Sequence, residues 1–350
     1  MNPFLIYGSY GYTGSLITAL AVEKGLRPIL AGRNEARLRA QAEALGLEYR
    51  AVSLEDAPAL YSALRDVEGV LHCAGPFVHT YRQMADACLA TGRHYLDISG
   101  EIPGFEALAK LGRVARRAGV MLLPGVGFDV VPTDCLAAHL KKRLPSTNRL
   151  QLSILGLRAG VSRGTARSAI ENMQRGGMIR RDGELEPVPP AWEVRKVDFG
   201  RGPVKVVSIG WGDVSTAYHS TGIPNVRTYM AFPAPAIGAL RLMRAAGPVV
   251  YSRPVRALLK LALHLMRSGP TREQRRDGFS LIVGEASNPA GTSVSSRLKT
   301  PEGYTLTALA SVEVMQRILA SDFKPGFQTP STAYGADFIL QFYRVERQDL

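Results

Sequence analysis

A short apolar run followed by three regularly spaced glycines opens this 350-residue chain. Residues 4–7 have the composition of a strand, Gly8, Gly11 and Gly14 follow, and residues 15–24 are compatible with a helix. In such a turn the first glycine permits the tight bend, the second lets backbone approach a pyrophosphate, and the third lets helix and strand pack closely. The helix N-terminus then offers N–H groups and a positive dipole end to phosphates. The pattern predicts a dinucleotide-binding corner; a strand-to-helix turn without a ligand is the alternative.

The end of the second predicted strand indicates which dinucleotide is bound. Residues 27–31 form an apolar run, and Gly32, Arg33 and Asn34 follow it. A site for NAD usually carries Asp or Glu here, to bind the ribose 2′-hydroxyl, whereas this strand tip carries no carboxylate and Glu35 follows only in the first turn of the next helix. The guanidinium of Arg33 can bind a 2′-phosphate through a planar pair of donors. We therefore expect NADP(H) rather than NAD(H), the alternative being that Arg33 is a solvated loop charge.

Length, cysteine content and charge limit the other classes. The chain is long enough for two domains, and its three cysteines, Cys73, Cys88 and Cys135, show no paired spacing. The unpaired cysteine spacing predicts a reducing compartment. A strand is predicted close to Met1, and there is no apolar run of about 20 residues, so we expect a cytoplasmic protein. The formal charge of +13 could attract nucleic acid, anionic lipid or an acidic small molecule. The chain has no nucleic-acid-binding motif, so we expect no nucleic-acid partner, and its six histidines show no ligand spacing, so we expect no metal.

The first 125 residues alternate between apolar runs and amphipathic stretches, which predicts an α/β fold with a doubly wound parallel sheet of the Rossmann type. The predicted strands are 4–7, 27–31, 49–52, 69–73, 94–97 and 120–123. The predicted helices are 13–24, 35–45, 56–66, 79–91 and 103–118. We assign residues 1–130 to this dinucleotide-binding domain.

The alternation stops after residue 127, and residues 131–322 predict a second α+β domain with a mostly antiparallel sheet, for substrate binding or oligomerisation. Its predicted strands are 150–155, 204–209 and 226–231, followed by a hairpin of 279–284 and 292–298 and by a helix over 304–319. Residues 323–350 are expected to return to the first domain.

A basic segment, residues 230–276, holds nine Lys and Arg and the single acid Glu273. Its part 254–267 is amphipathic, with one set of apolar side chains apart from three basic ones. The apolar set is Leu258, Leu259, Ala262, Leu265 and Met266, and the basic set is Arg256, Lys260 and Arg267. Three interpretations stay open: a domain helix with a solvated basic face, a homodimer contact, or weak peripheral contact with a membrane surface.

Ligands of an open parallel sheet bind beyond the carboxyl ends of its strands, which selects three loops: 72–77, 97–101 and 124–134. Backbone of the first loop is expected to run beside the cofactor ribose and nicotinamide. The candidate proton carriers on these loops are His79, Tyr81, Asp97, Glu101 and Asp129. For Asp97 and Asp129 the alternatives are binding of loop N–H groups and capping of a helix. No Tyr-x-x-x-Lys spacing follows the glycine turn, which argues against a short-chain dehydrogenase mechanism.

Several stretches together resemble the saccharopine dehydrogenase-like oxidoreductases, in the branch that includes trans-acting enoyl reductases of lipid biosynthesis. The stretches are 8–14 (GSYGYTG), 31–33 (AGR), 73–77 (CAGPF), 94–101 (HYLDISGE), 127–134 (GFDVVPTD), 325–330 (PGFQTP) and Tyr334-Gly335. The resemblance implies an NADP-binding Rossmann domain and an activity as a reductase or dehydrogenase. The Gly-Tyr-Thr-Gly form of the turn differs from that of true saccharopine-forming enzymes and argues against a role in lysine metabolism.

The expected cofactor-binding residues follow from the glycine turn, the end of the second strand and the loop after the fourth. They are Gly8, Tyr10, Gly11, Tyr12, Thr13, Gly14, Arg33, Asn34, Cys73, Ala74, Gly75 and Pro76. The expected function is an NADP(H)-dependent reductase of a small, acyl or lipid-linked substrate. The alternatives are a non-catalytic NADP(H)-sensing regulator and a peripheral membrane protein that acts through residues 230–276.

Overall fold

A computed structural model describes residues 3–157, 160–172, 176–233, 235–238 and 252–350. The chain divides into two compact units. The first contains residues up to Val131 together with Tyr304–Ala333, and the second contains Pro132–Gly303 together with Tyr334–Leu350.

The first unit contains a seven-stranded, wholly parallel sheet. Its strands are β1 (Leu5–Tyr7), β2 (Ile29–Gly32), β3 (Tyr49–Ala51), β4 (Gly69–His72), β5 (His94–Asp97), β6 (Met121–Leu123) and β15 (Gly326–Phe327). Its helices are α1 (Tyr12–Glu23), α2 (Glu35–Leu45), α3 (Ala57–Leu64), α4 (Tyr81–Thr91), α5 (Ile102–Lys110), α6 (Gly112–Arg117) and α12 (Gly303–Leu319). Every residue of β1, β2, β4, β5 and β6 is buried, as expected for a parallel sheet with both faces covered.

The strand order in this sheet is β15-β6-β5-β4-β1-β2-β3. The strands β2 and β3 follow on one side of β1, whereas β4, β5 and β6 follow on its other side. The order therefore switches between β1 and β4, which is where an open α/β sheet forms its ligand crevice. The Rossmann fold expected for the N-terminal region is confirmed.

The second unit contains a nine-stranded sheet. Its strands are β7 (Arg149–Leu157), β8 (Gly177–Arg181), β9 (Glu184–Val188), β10 (Val194–Asp198), β11 (Pro203–Ile209), β12 (Asn225–Ala231), β13 (Phe279–Ser287), β14 (Ser293–Pro301) and β16 (Glu346–Asp349). Among the strands that the structure describes, only the β7–β12 pair is parallel, so the mostly antiparallel character expected from the sequence is confirmed. The predicted hairpin is β13–β14, with Ser287 opposite Ser293.

The helices associated with the second unit are α7 (Val131–Arg143), α8 (Arg163–Asn172), α9 (Asp213–Thr221), α10 (Arg253–Ala262) and α11 (Arg272–Asp277), and α13 (Pro330–Tyr334) spans a boundary between the units. The sequence analysis missed β8, β9, β10, α8 and α9. It also predicted one helix over 103–118, where the structure has α5 and α6 separated at Leu111.

The end of the chain is divided differently from the sequence prediction, which ended the second domain at 322 and returned 323–350 to the first. The helix α12 lies in the first unit, and only β15 of the last segment joins the parallel sheet. The strand β16 pairs with β14 in the second unit instead. The edge of β14 accepts β16 as an antiparallel neighbour. No local pattern in residues 346–349 reveals this pairing, because it depends on a strand about 50 residues earlier in the chain.

Candidate active site

Two of the three glycines of the first turn, Gly8 and Gly14, occupy positions that disfavour a side chain. Gly8 has a φ of +83°, and its N–H donates to the carbonyl oxygen of Ala31 at 2.7 Å. A Cβ added at Gly14 would lie 2.3 Å from the carbonyl oxygen of Gly8, so α1 crosses the end of β1 at backbone contact. Gly11 precedes α1 in an extended conformation, with φ of −71° and ψ of 164°. The geometry agrees with the role assigned to each glycine in a dinucleotide corner.

The end of β2 is locked to this corner by Tyr10. A Cβ at Gly32 would lie 2.7 Å from the Cε1 atom of the Tyr10 ring, so only glycine lets the ring pack there. The N–H of Asn34 donates to the Tyr10 hydroxyl at 3.3 Å. The Asn34 side chain also caps α2 by accepting from the N–H of Arg37 at 3.0 Å. The tip of β2 is therefore held in a defined place beside the glycine turn.

Two arginines surround this tip. Arg33 is exposed. Burial raises the pKa of the nearby Tyr7 hydroxyl to about 12, and the positive charge of Arg33 acts in the opposite direction. The guanidinium of Arg37 lies 4.8 Å from the centroid of the Tyr10 ring and donates to the Tyr10 carbonyl oxygen at 3.2 Å. A cation in the first turn of a helix is disfavoured by the helix dipole. A bound anion such as a 2′-phosphate would offset that cost.

The nearest carboxylate, Glu35, is engaged elsewhere. It forms an exposed 2.6 Å ion pair with Arg39 one turn along α2. The residues at the tip of β2 thus fit a phosphate better than a ribose hydroxyl that needs a carboxylate acceptor. Arg37 was not among the residues predicted from the sequence, although it lies only four positions after Arg33.

The loop after β4 lies directly against the glycine corner, since a Cβ at Gly8 would approach both the Cβ and the N atom of Ala74 at 3.0 Å. A buried hydrogen-bond chain shapes this loop. The hydroxyl of Thr80 donates to the Ala74 carbonyl oxygen at 2.8 Å and lies 3.0 Å from Nε2 of His72. Because burial lowers the pKa of His72 to about 3, the ring is neutral, and this arrangement assigns the proton to Nε2.

Glu101 binds the same loop from the other side. Its carboxylate accepts the N–H groups of Phe77 at 3.1 Å and Val78 at 2.7 Å, and its side chain is almost fully buried. Its own N–H donates to the hydroxyl of Ser99 at 2.9 Å. The sequence analysis considered Glu101 as a proton carrier, and its contacts give it a positioning role for the backbone of residues 77 and 78.

Asp97 joins the ends of β5 and β6. Its Oδ1 atom accepts the N–H groups of Ser99 at 2.9 Å and Gly125 at 2.8 Å, and its Oδ2 atom accepts the Tyr95 hydroxyl at 2.6 Å. Burial raises the pKa of Asp97 to about 6, against the opposing effect of these three donors. The contacts agree with the alternative of binding loop N–H groups.

The other three candidates differ in their exposure to solvent. His79 is exposed at the end of a short 3-10 helix, Phe77–His79. Tyr81 is half-buried and packs toward Gly104 of α5, with its Cδ1 atom 3.7 Å from where a Cβ would lie. Asp129 is half-buried in the loop before α7.

Helix α12 brings a residue to the site that the sequence analysis did not consider. Tyr304 lies edge-on to Tyr12 of the glycine corner, with ring centroids 5.1 Å apart. One turn later, the Thr307 hydroxyl accepts the N–H of Phe128 at 3.0 Å, in the loop after β6. The first turns of α12 therefore contact both the glycine corner and this loop. The separation of almost 300 residues left no local signal for this contact.

Within the part of the chain that the structure describes, no group of three His, Cys, Asp or Glu side chains could hold a metal ion. No helix in those same ranges has the length and apolar character needed to span a bilayer.

Comparison with known proteins bears on the first unit. Residues 4–123 match the family model of the saccharopine dehydrogenase NADP-binding domain. The match lies within the first unit and covers about a third of the chain. The match confirms the resemblance expected from the sequence and the expectation of NADP(H) as cofactor.

Relatives and a solved structure extend the likeness. A human saccharopine dehydrogenase-like oxidoreductase is 25% identical over 222 residues, which cover 54% of this chain and 51% of the relative. A Mycobacterium tuberculosis protein with the provisional name of trans-acting enoyl reductase is 29% identical over 184 residues, which cover 48% of this chain and 43% of the relative. This chain thus matches about half the length of these relatives or less.

The yeast saccharopine dehydrogenase (L-Glu forming), solved in its apo form, aligns over 100% of both chains with a TM-score of 0.68 and 13% identity. At that identity the comparison shows a shared fold only. Both units of this NADP-binding protein therefore have counterparts in a solved structure.

Proposed function

We propose that this protein is an NADP(H)-dependent oxidoreductase that reduces a small, acyl or lipid-linked substrate. The observation that carries the cofactor preference is the pair Arg33 and Arg37 at a strand tip without an available carboxylate. Guanidinium groups are suited to a phosphate ester because they present paired, permanently charged donors.

The residues of the first unit have distinct tasks in this proposal. Backbone N–H groups in the first turn of α1 bind the pyrophosphate, and the missing side chain at Gly11, which precedes the helix, lets the pyrophosphate approach the backbone. Arg33 and Arg37 bind the 2′-phosphate. The loop after β4, including Gly75, lies beside the nicotinamide ribose, and it keeps its shape through Glu101.

The bound cofactor supplies the hydride, and the protein must orient it and exclude water. Tyr304 contacts Tyr12 at the start of α1, so we assign it to the wall that positions the cofactor on this side. An acyl substrate is supported by the provisional name of the mycobacterial relative and by the family resemblance. The basic character of the chain also favours an acidic substrate or one linked to an acidic carrier.

Calorimetric titration with NADPH and NADH tests the cofactor assignment. We expect NADPH to bind at least tenfold more tightly than NADH, and we expect Arg33→Ala to remove most of that difference. Absence of heat with both NADP⁺ and NADPH would contradict the proposed function.

Turnover is tested separately, through loss of reduced-nicotinamide absorbance with a panel of enoyl and keto thioesters. We expect oxidation of NADPH with at least one member. The alternative is a non-catalytic NADP(H) sensor, which is favoured by the engagement of Asp97 and Glu101 with backbone N–H groups. Tight NADPH binding without turnover, together with a ligand-dependent change in proteolytic sensitivity, would support the sensor instead.

A further inference from the structure

The apolar side of helix α10 faces outward. Leu258 is 67% exposed, Leu261 is 64% exposed, and Leu265, in the 3-10 turn that continues the helix, is 91% exposed. Smaller apolar residues continue the same stripe along the helix. The α10 apolar face consists of Pro254, Ala257, Leu258, Leu261, Ala262 and Leu265, all exposed. Their spacing of three and four residues places them along one side of the helix.

The opposite side of α10 is held by a carboxylate of α8. Lys260 forms an ion pair with Oε1 of Glu171, and Arg256 approaches Oε2 of the same side chain at 3.8 Å. The Glu171 side chain is only 15% exposed. A shielded carboxylate is costly to leave without cations, so this contact favours the orientation in which α10 turns its basic side inward and its leucines outward.

This orientation differs from the usual one for an amphipathic helix at a protein surface, which buries its apolar stripe. It also answers part of the question left open by the sequence, because the basic side of α10 is not simply solvated. Part of the basic segment 230–276, namely residue 234 and residues 239–251, lies outside the described residues. Leu259, which the sequence pattern grouped with the apolar set, is half-buried, and Leu261 takes its place in the exposed stripe.

We propose that the α10 apolar face docks on the surface of an anionic phospholipid bilayer. The charges that surround it fit such a surface: after α10, the exposed residues Arg267 and Arg272 follow within one short segment, and Arg276 pairs with Asp277 at 2.8 Å. The acids of residues 252–277 are Glu273 and Asp277. An exposed apolar stripe next to a surplus of cations is the combination that binds helices to the interface of anionic membranes.

Co-sedimentation with vesicles tests the proposal without any cofactor, so that its outcome is independent of the proposed function. The intact protein is mixed with vesicles of phosphatidylcholine alone or of phosphatidylcholine with about 30 mol% of the anionic lipid phosphatidylglycerol. We expect sedimentation with the anionic vesicles, weaker sedimentation with the neutral ones, and release at high salt, because the contribution of charge is screened.

The deciding variant replaces Leu258, Leu261 and Leu265 with Gln. All three are exposed, so the fold should not change, and retained NADPH binding checks this. We expect the fraction bound to anionic vesicles to fall at least fivefold. The matched control replaces three other exposed apolar residues, Val114, Tyr343 and Leu350, with Gln and should sediment like the wild type.

Three outcomes would overturn the proposal. The first is a wild-type protein that stays in the supernatant with anionic vesicles. The second is a triple-Gln variant that sediments as well as the wild type. The third is a wild-type dimer that the triple-Gln variant converts to a monomer in size-exclusion chromatography while vesicle binding is absent, which would assign the α10 apolar face to a second copy of the chain.

Discussion

Two parts of the first unit are built by different means. The glycine corner of residues 8–14 depends on close backbone contacts, and the tip of β2 depends on the close approach of the Tyr10 ring to Gly32. The loops after β4, β5 and β6 depend instead on buried polar side chains. There, Asp97 and Glu101 accept N–H groups from backbone up to 28 residues away in sequence.

The difference explains where the sequence was informative. A steric requirement is written into the residue type, because a position with a φ of +83° or a 2.3 Å approach strongly favours glycine. A carboxylate at a strand end has no such single meaning. The same residue could transfer a proton or bind loop N–H groups, and only the position of the neighbouring loop decides between the two.

The largest expected effect comes from breaking the glycine corner. In Gly14→Ala the new Cβ would meet the Gly8 carbonyl oxygen at 2.3 Å. Since the atoms that the new Cβ would meet belong to the backbone of Gly8 and Ser9, we expect the free energy of unfolding to fall by about 3 kcal/mol or more, at the upper end for overpacking, and NADPH binding to be lost. Urea unfolding and calorimetry measure both effects.

The matched control for this variant is Gly164→Ala. Gly164 lies in α8, and the nearest atom to an added Cβ is 3.6 Å away. Alanine favours a helix over glycine by up to about 1 kcal/mol, so we expect unchanged or slightly higher stability. If Gly14→Ala behaved like Gly164→Ala, the steric account of the corner would be wrong.

The second prediction tests the buried carboxylate at the end of β5. The pKa of Asp97 is raised from 3.8 to about 6 in the folded protein, so the folded state holds this proton more tightly than the unfolded state. The contribution of Asp97 to stability is therefore greatest at low pH and is lost as the pH rises from about 4 to about 6. A shift of about two pKa units corresponds to a loss of about 3 kcal/mol.

The variant Asp97→Asn removes this titration while keeping an acceptor for Ser99 and Gly125. We expect the difference in unfolding free energy between wild type and variant to change by that amount across the pH range, as measured by urea unfolding at a series of pH values. A difference independent of pH would show that Asp97 does not titrate in this way.

The third prediction sharpens the account of the β2 tip. Arg33→Ala should weaken NADPH binding by roughly 1.5–3 kcal/mol, the scale of a hydrogen bond to a charged group, and should barely change NADH binding. Arg37→Ala should have a smaller effect of about 1 kcal/mol, because this side chain also contacts Tyr10. Equal losses for both cofactors would contradict the assignment.

Arg39→Ala is the control for these two variants. It removes an arginine from the same helix, but one that pairs with Glu35 on the exposed surface. Calorimetry should show both cofactors binding to it as tightly as to the wild type.

The smallest effect is expected for Glu101→Gln. The side chain of glutamine has one carbonyl oxygen in place of two carboxylate oxygens, so it can replace the hydrogen bond to the N–H of Phe77 or of Val78, but not both. The loss of one charged hydrogen bond should cost about 1–2 kcal/mol of stability. With a substrate in hand, kcat should fall only a few fold and the pH profile should keep its shape. A loss of a hundredfold or more with one limb of the pH profile removed would instead make Glu101 a proton carrier.

Much of the first unit was predictable from the sequence because its elements are local. The predicted strands at 4–7, 69–73 and 94–97 match β1, β4 and β5 within one residue. The strands β8, β9 and β10 were missed because their half-exposed, charged sequences lack a clear alternation. Tyr304 was missed since only the packing of α12 brings it to the glycine corner.

The sequence by itself determined the dinucleotide corner and the preference for a phosphate at the tip of β2. Both follow from what a residue type can do within a few positions of the chain: glycine where no Cβ fits, and a guanidinium where a carboxylate would otherwise stand. The two-face pattern of 254–267 was equally visible.

Only the tertiary structure decided which face of α10 is exposed and what Glu101 binds. In each case a partner distant in sequence settles the matter, Glu171 for the helix and the N–H groups of Phe77 and Val78 for the carboxylate. Periodicity defines the two sides of a helix, but the placement of a shielded charge beside one of them determines which side turns inward.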